Sequence, residues 1–231
     1  MDKKQGQLIV IDGIDGSGKT TQIELLTKYL SGKNIPFEII NFPRYGDNEY
    51  GKLIRRYLAG EFGQSVNPYL VAAIFAGDRL LAKPLIESWL AEGKVVLANR
   101  YVSSSKAHLS AKLPEDQRKK FMEWIDQLEY QTNGMPKPDL NILLDVDPAV
   151  GQKNALSKNT SDIHEKDLAH EEKAAKIYFE LSRSEENWVV VNCMQNDKMS
   201  PKEEIHREIL KVLSKARALR AQVARYRALK I

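Results

Sequence analysis

A chain of 231 residues, 42% hydrophobic and 29% charged, suits one domain with a sizeable core and needs neither disulfides nor a structural metal to fold. Its formal charge of +4 is uneven: Lys202 to Ile231 holds nine Lys or Arg and three Asp or Glu, a net +6 that leaves −2 for the rest. Basicity therefore belongs to the C-terminal end and says little about the partners of the body. No stretch approaches a membrane span, the start has no apolar run of signal length, and a cytoplasmic protein is expected.

In chain order, QLIVID (7–12) is a short apolar run ending in a glycine-rich turn, followed by a helix in which Leu25, Leu26, Tyr29 and Leu30 recur near helical spacing. IPFEIINFP is a second strand, stopped at Pro43. A helix over EYGKLIRRYLAGEF follows, then another opened by Pro68 that is expected to bend or break near Pro84. KVVLAN (94–99) reads as a buried strand, then come Arg100 and a serine-rich connection. EDQRKKFMEWIDQLEYQTNG is helical, residues 140–145 are a strand, DLAHEEKAAKIYFELSR is a helix and WVVVNC a last strand. Cys193 in that run is expected as a buried free thiol. Five short apolar strands alternating with helices predict an α/β fold with a mostly parallel sheet covered on both faces.

The strongest chemical signal is Gly13-Ile14-Asp15-Gly16-Ser17-Gly18-Lys19-Thr20, which satisfies GxxxxGKT between a strand and a helix. Its glycines let backbone amides approach phosphate oxygens, with Thr21 continuing into the helix. Lys19 can reach β and γ phosphates, and Thr20 offers a hydroxyl to Mg2+. The helix N-terminus adds a field that favours anions. This motif establishes nucleotide phosphate binding without choosing between kinase, NTPase and switch. Asp12 and Asp15 flank the loop; either can bind magnesium through water, position a sugar hydroxyl or organise the turn.

Arg44 follows the second strand, Arg100 the third, and Arg79 lies on the helix between them, where an open sheet presents its crevice. Arginine forks suit bidentate phosphate recognition, and two anionic substrates need this much positive charge. Phe75 lies one helical turn before Arg79, as a core aromatic or as a platform for a base. The polar segment 151–167 is either a closing lid, bringing Lys153 and Lys158 to the phosphates, or a surface loop. His164 and His170 complete no metal-ligand set, and zinc is not expected. The end, from Lys202, reads as an amphipathic helix with a stripe of Ile205, Ile209, Val212, Ala216, Leu219, Val223 and Tyr226. Such a helix packs on the body, meets another protein, or meets nucleic acid or an anionic membrane.

Over roughly residues 5–210 the chain resembles the thymidylate kinase family, through IDGIDGSGKTTQ, FPRY at 42–45, FAGDR at 75–79, NRYVSSSKAH at 99–108, PKPDL at 136–140 and the lid. The resemblance implies an α/β, three-layer P-loop sandwich with a five-stranded parallel sheet flanked by helices, a domain over 1–210, a basic helical extension over 211–231, and a homodimer. It implies phosphoryl transfer from MgATP to dTMP, giving ADP and dTDP. By the same resemblance Asp15 contacts the acceptor sugar, Arg79 and Arg100 hold its phosphate, Arg44 clamps it and Phe75 stacks on thymine. Phe42, Ser104 and His108 complete the substrate set. Asn99 replaces a usual acid, His108 a usual aromatic, and neither the P-loop nor the lid supplies an arginine, so Lys153 or Lys158 is expected to stand in. The alternatives are a kinase for another nucleoside monophosphate and a non-catalytic nucleotide-responsive binding protein.

Overall fold

The computed structural model describes residues 6–63, 65–156, 167–185 and 187–215. One parallel five-stranded sheet is built from β1 (Gln7–Asp12), β2 (Phe37–Asn41), β3 (Val95–Asn99), β4 (Leu140–Asp145) and β5 (Trp188–Asn192), in the order β2-β3-β1-β4-β5. Leu8 pairs with Val96 on one side of β1, and Ile9 with Leu140 on the other. The pleat sends Leu8 and Val10 to one face with Val96 and Ala98, and Ile9 and Ile11 to the other with Leu97 and Ile142. Covered on both faces, β1 is buried at every position, which is why it reads as an unbroken apolar run.

One face is covered by α2 (Glu49–Leu58), α3 (Pro68–Ala91), α4 (Val102–Ser110) and α5 (Glu115–Asp126), through Ile54, Ile86, Val102 and Phe121. On the opposite face lies α1 (Lys19–Gly32). Among the described residues the remaining α-helices are α6 (Pro148–Leu156), α7 (Leu168–Ser184) and α8 (Lys202–Lys215), and α8 packs on α1's side. Tyr178, Ile177 and Leu181 of α7 form a third cluster with Ala107 and Trp188. After β3 the chain crosses β1 to add β4, so the carboxyl ends of β1 and its two neighbours open on one crevice. Cys193 is buried and free, as expected, and burial pushes its thiol up to about 12.

Four expectations change. First, α3 runs without interruption through Pro84. Pro84 and Leu80 are both exposed, so the carbonyl that loses its partner there meets water. Second, the serine-rich connection is the helix α4. Serine disfavours helices by bonding to nearby backbone, but the Ser103 and Ser104 hydroxyls are engaged by Asp12, across the crevice. Third, the segment expected as a polar lid from residue 151 is helical through Leu156, with Gly151 and Ala155 buried. Fourth, the expected boundary at residue 210 falls inside α8, where Ile205, Ile209 and Leu213 are all buried against the sheet layer. Ala216, Leu219, Val223 and Tyr226 lie outside the described residues.

Beyond α5 the chain continues as a π-helical turn, Gln127–Thr132, that turns Glu129 fully inward. There Glu129 meets Arg79, which is 1% exposed and donates its Nε to Glu129 Oε1 at 2.8 Å. Removing one partner of a buried ion pair leaves an uncompensated charge. Glu129→Ala is therefore expected to lower unfolding free energy by about 3–5 kcal/mol, and adding Arg79→Leu to recover much of it. Urea denaturation of the two variants checks both signs.

Candidate active site

The loop between Asp12 and Lys19 is shaped by Gly13, Gly16 and Gly18, at φ +141°, +71° and +89°. Gly16 is doubly constrained, because a Cβ there would collide with the carbonyl of Gly151 on α6. Ser17 is fully buried; Thr20 is exposed in the first turn of α1, and Thr21 is half-buried behind it. Lys19 folds over the loop, its ammonium donating to the carbonyls of Gly13 at 3.0 Å and Ile14 at 2.7 Å.

Asp12 faces the interior. It is completely buried, and its carboxylate accepts from Ser103 Oγ at 2.6 Å, Ser104 Oγ at 2.8 Å, Tyr178 OH at 2.6 Å and the Gly13 N–H at 3.1 Å. Three of those donors meet Oδ1 and one meets Oδ2, and Asp12 lines neither cavity of the crevice, so the buried carboxylate organises the turn rather than taking the expected magnesium role. Thr20 fits one, since its exposed hydroxyl lines the open side of the loop.

Arg100 leaves β3 at φ +64°, a left-handed conformation uncommon for a residue with a side chain, while its N–H donates to Ile11 O at 3.1 Å. The turn swings its guanidinium onto Asp15, with further contacts to Ser104 Oγ and His108 Nε2, both at 3.1 Å. Arg44 is held by Asp78: Nε to Oδ1 at 3.0 Å, Nη2 to the carbonyl at 2.7 Å, and its N–H to Oδ2 at 2.9 Å. Arg79 departs from expectation. Glu129 binds its guanidinium in the interior and Ser105 Oγ accepts from Nη2 at 2.8 Å, so Ser105, not Arg79, reaches the crevice.

Two cavities share Asp15, Pro43, Tyr45 and Arg100 as a common wall. One, of about 300 Å³, is lined by Gly16, Gly18, Lys19, Thr20, Phe42 and Asn99. The other, of about 140 Å³, is lined by Phe75, Ser104, Ser105 and His108. A phosphate loop opens on the first and an aromatic side chain on the second, with Arg100 between. The thymidylate kinase family profile matches residues 11–209. The chain belongs to the thymidylate kinase family. It is an ATP-dependent phosphotransferase of that family, whose reaction passes the γ-phosphoryl group of ATP to dTMP.

Among the relatives, the thymidylate kinase of Mycobacterium tuberculosis H37Rv is 30% identical over 182 residues, covering 76% of this chain and 85% of that one. That of Plasmodium falciparum 3D7 is 31% identical over 216 residues, covering 93% and 92%. A solved thymidylate kinase from Candida albicans superposes with a TM-score of 0.74 at 23% identity, covering 93% and 94%, a likeness of fold.

Of the lid lysines expected in this thymidylate kinase family member, Lys153 is exposed on α6 and Lys158 lies outside the described residues. Several residues of the site carried little sequence signal. Asp78, beside Arg79 in FAGDR, was the one most open to discovery. Glu129, Glu171 and Tyr178 sit on amphipathic elements far away in sequence, and nothing in their spacing marks them. Glu171 is buried and accepts the Asp15 N–H at 3.1 Å; burial and the Asp15 charge push its carboxyl up to about 7. Burial, then Lys112, pull His170 down to about 4.

Burial, and next the charge of Arg100, bring the Lys19 ammonium down from 10.5 to about 8. Between about 8 and 10.5 the folded chain is then neutral at Lys19 where the unfolded chain is charged, so this group favours folding as pH rises through that window. Activity runs the other way, because a neutral Lys19 cannot balance phosphate charge. We expect kcat/KM for ATP to fall along an alkaline limb with an apparent pKa near 8. A profile flat to pH ~9.5 would contradict this reading of the free enzyme.

Proposed function

We propose that the chain is a dTMP kinase that binds MgATP in the larger cavity and dTMP in the smaller. The common wall of the two cavities carries this reading, since direct transfer needs donor and acceptor phosphates to meet at one point. Gly13, Gly16, Ser17, Gly18, Lys19, Thr20 and Thr21 receive the ATP phosphates. Phe75 stacks on the base, while Ser104, His108 and Asp15 face the sugar. Arg100, on the common wall, holds the acceptor phosphate, and Arg44 exchanges Asp78 for the same group. Phe42, 5% exposed and packed on Tyr101, backs the phosphate end.

Chemistry here is positioning and charge compensation. A monophosphate with a second pKa of about 6 is already ionised enough at neutral pH to attack the γ phosphorus, so no general base is assigned. Lys19 leaves the loop carbonyls to follow the transferring group, with Lys153 or Lys158 adding charge from the lid side. Thr20 would hold magnesium, which when bound neutralises charge on the phosphates. Asn99, lining the donor cavity, contributes polarity without a second negative charge.

A homodimer completes the proposal. On α3, Leu70, Leu81 and Leu85 are 57%, 54% and 45% exposed and fall within about 60° of one another around the helix. An apolar stripe of that kind suits a second copy. Among the described residues no helix is long and apolar enough to cross a membrane, and the lone free thiol suits a reducing compartment such as the cytoplasm.

Purified protein is expected to form ADP from MgATP with dTMP in preference to dUMP, dCMP, dGMP and AMP. Lys19→Ala should lower kcat at least 100-fold, about 2.7 kcal/mol of transition-state stabilisation. Preference for another monophosphate would move the acceptor assignment, and absence of turnover with every acceptor would sink it. Separately, Leu81→Glu with Leu85→Glu is expected to shift sedimentation from dimer to monomer. An unchanged sedimentation coefficient would remove α3 from the interface.

A further inference from the structure

Where α4 packs on α7, three metal-ligating side chains converge beside the acceptor cavity. His108 of α4 and His170 and Glu171 of α7 each present a ligand atom, all within 4.8 Å of one another. The two imidazoles stack at 5.7 Å between centroids and 25° between planes, and Glu171 Oε1 lies 3.9 Å from His108 Nδ1. Glu171 is 1% and His170 6% exposed. One carboxylate oxygen, Glu171 Oε2, accepts the Asp15 N–H. The other, Oε1, is buried without a hydrogen-bond donor. Buried carboxylates are ordinarily paired through hydrogen bonds or engaged by metals, so an oxygen left over beside two imidazoles calls for an occupant.

We propose that His108, His170 and Glu171 form a binding site for a divalent transition-metal ion of Zn2+ type, on the wall of the acceptor cavity. Two imidazole nitrogens and one carboxylate oxygen match the donors that Zn2+ selects, whereas Mg2+ and Ca2+ take oxygen donors. Bonds of about 2.0–2.2 Å set tetrahedral ligand atoms about 3.4 Å apart, so side-chain rotations that close up to about 1.4 Å complete the set. A fourth position, open toward the cavity, takes water.

Arg100 gives the site a second consequence. Its guanidinium only donates, so the contact at 3.1 Å makes His108 Nε2 the acceptor and leaves the proton on Nδ1, on the Glu171 side. A metal at Nδ1 takes that proton's place and requires the proton on Nε2 instead. His108 then no longer accepts from Arg100, and the arginine is released toward the common wall. Metal occupancy and the Arg100–His108 contact exclude each other, which couples the ion to the grip of the acceptor cavity. The inference stands on the cluster itself and does not depend on which monophosphate the cavity takes.

Tag-free protein stripped with EDTA and held in excess Mg2+ is to be titrated with Zn2+ by calorimetry, and with Co2+ by visible absorption. The expected result is one ion per chain, with the intense Co2+ bands of a four- or five-coordinate site. His170→Ala and Glu171→Gln should each weaken binding at least tenfold, while His206→Ala on α8 leaves it unchanged. A measurement on wild-type protein guards against variants that do not fold: imidazole resonances of His108 and His170 should shift together on adding one equivalent of Zn2+. No stoichiometric binding, equal affinity in the His170 and Glu171 variants, or unmoved imidazole resonances would overturn the proposal.

Discussion

The Asp12 carboxylate, with no exposure to solvent, is the point to which the rest of the site is tied. It ends the central strand and gathers hydroxyls from Ser103 and Ser104 on α4 and Tyr178 on α7, together with the first amide of the phosphate loop. Burying a lone carboxylate is unfavourable enough that the group must be surrounded by donors or give up its charge. Four donors drawn from three different elements meet that requirement at once. The loop, α4 and α7 are consequently fixed relative to one another by a single anion. Ser104 carries the order outward, because it also receives the Arg100 guanidinium.

A second regularity follows from the charge of the site. Lys19, Arg44, Arg79 and Arg100 would repel one another in an empty crevice, and each has a partner from within the fold. Backbone carbonyls hold Lys19, Asp78 holds Arg44, Glu129 holds Arg79 and Asp15 holds Arg100. The partners differ in what they permit. Glu129 meets Arg79 in the interior, where exchanging a partner would strand a buried charge, so this pair builds the wall and stays. Arg100 and Arg44 are only 17% and 14% exposed as side chains, yet Arg100 lines both cavities and Arg44 lies between two residues that do. A phosphate arriving there replaces one anion by another, with little new desolvation of the guanidinium. Binding becomes an exchange of partners, and the empty site is kept in shape without substrate.

Most of the fold was legible in the sequence because its signals are local. Apolar runs such as QLIVID and NILLD mark strands buried on both faces, and the spacing of GxxxxGKT marks the turn between β1 and α1. What escaped depended on distant partners. The serines of α4 look like loop formers until their hydroxyls are seen to be engaged by Asp12, some 90 residues earlier. Pro84 looks like a break until its side of α3 proves to be solvent-facing. Arg79 carries the same local signature as a phosphate ligand, and only Glu129, 50 residues away on an irregular turn, removes it from the cavity. Likewise His108 and His170 are 62 residues apart and form no motif, although α4 and α7 stack their rings.

The contact between Gly16 and α6 explains why the loop carries no basic side chain of its own. At φ +71°, with the Gly151 carbonyl directly over it, position 16 admits no Cβ, and Ser17 beside it is fully buried. An arginine or lysine at position 16 would have to push α6 away, and one at position 17 would have to be buried. The same contact limits Lys153. Gly151 and Ala155 are buried, and Asn154 Nδ2 reaches the Gly16 carbonyl at 3.4 Å, so residues 151–156 are docked on the phosphate loop. A lysine on the exposed side of that docked helix can approach the phosphates by changing rotamer, but not by swinging with a lid.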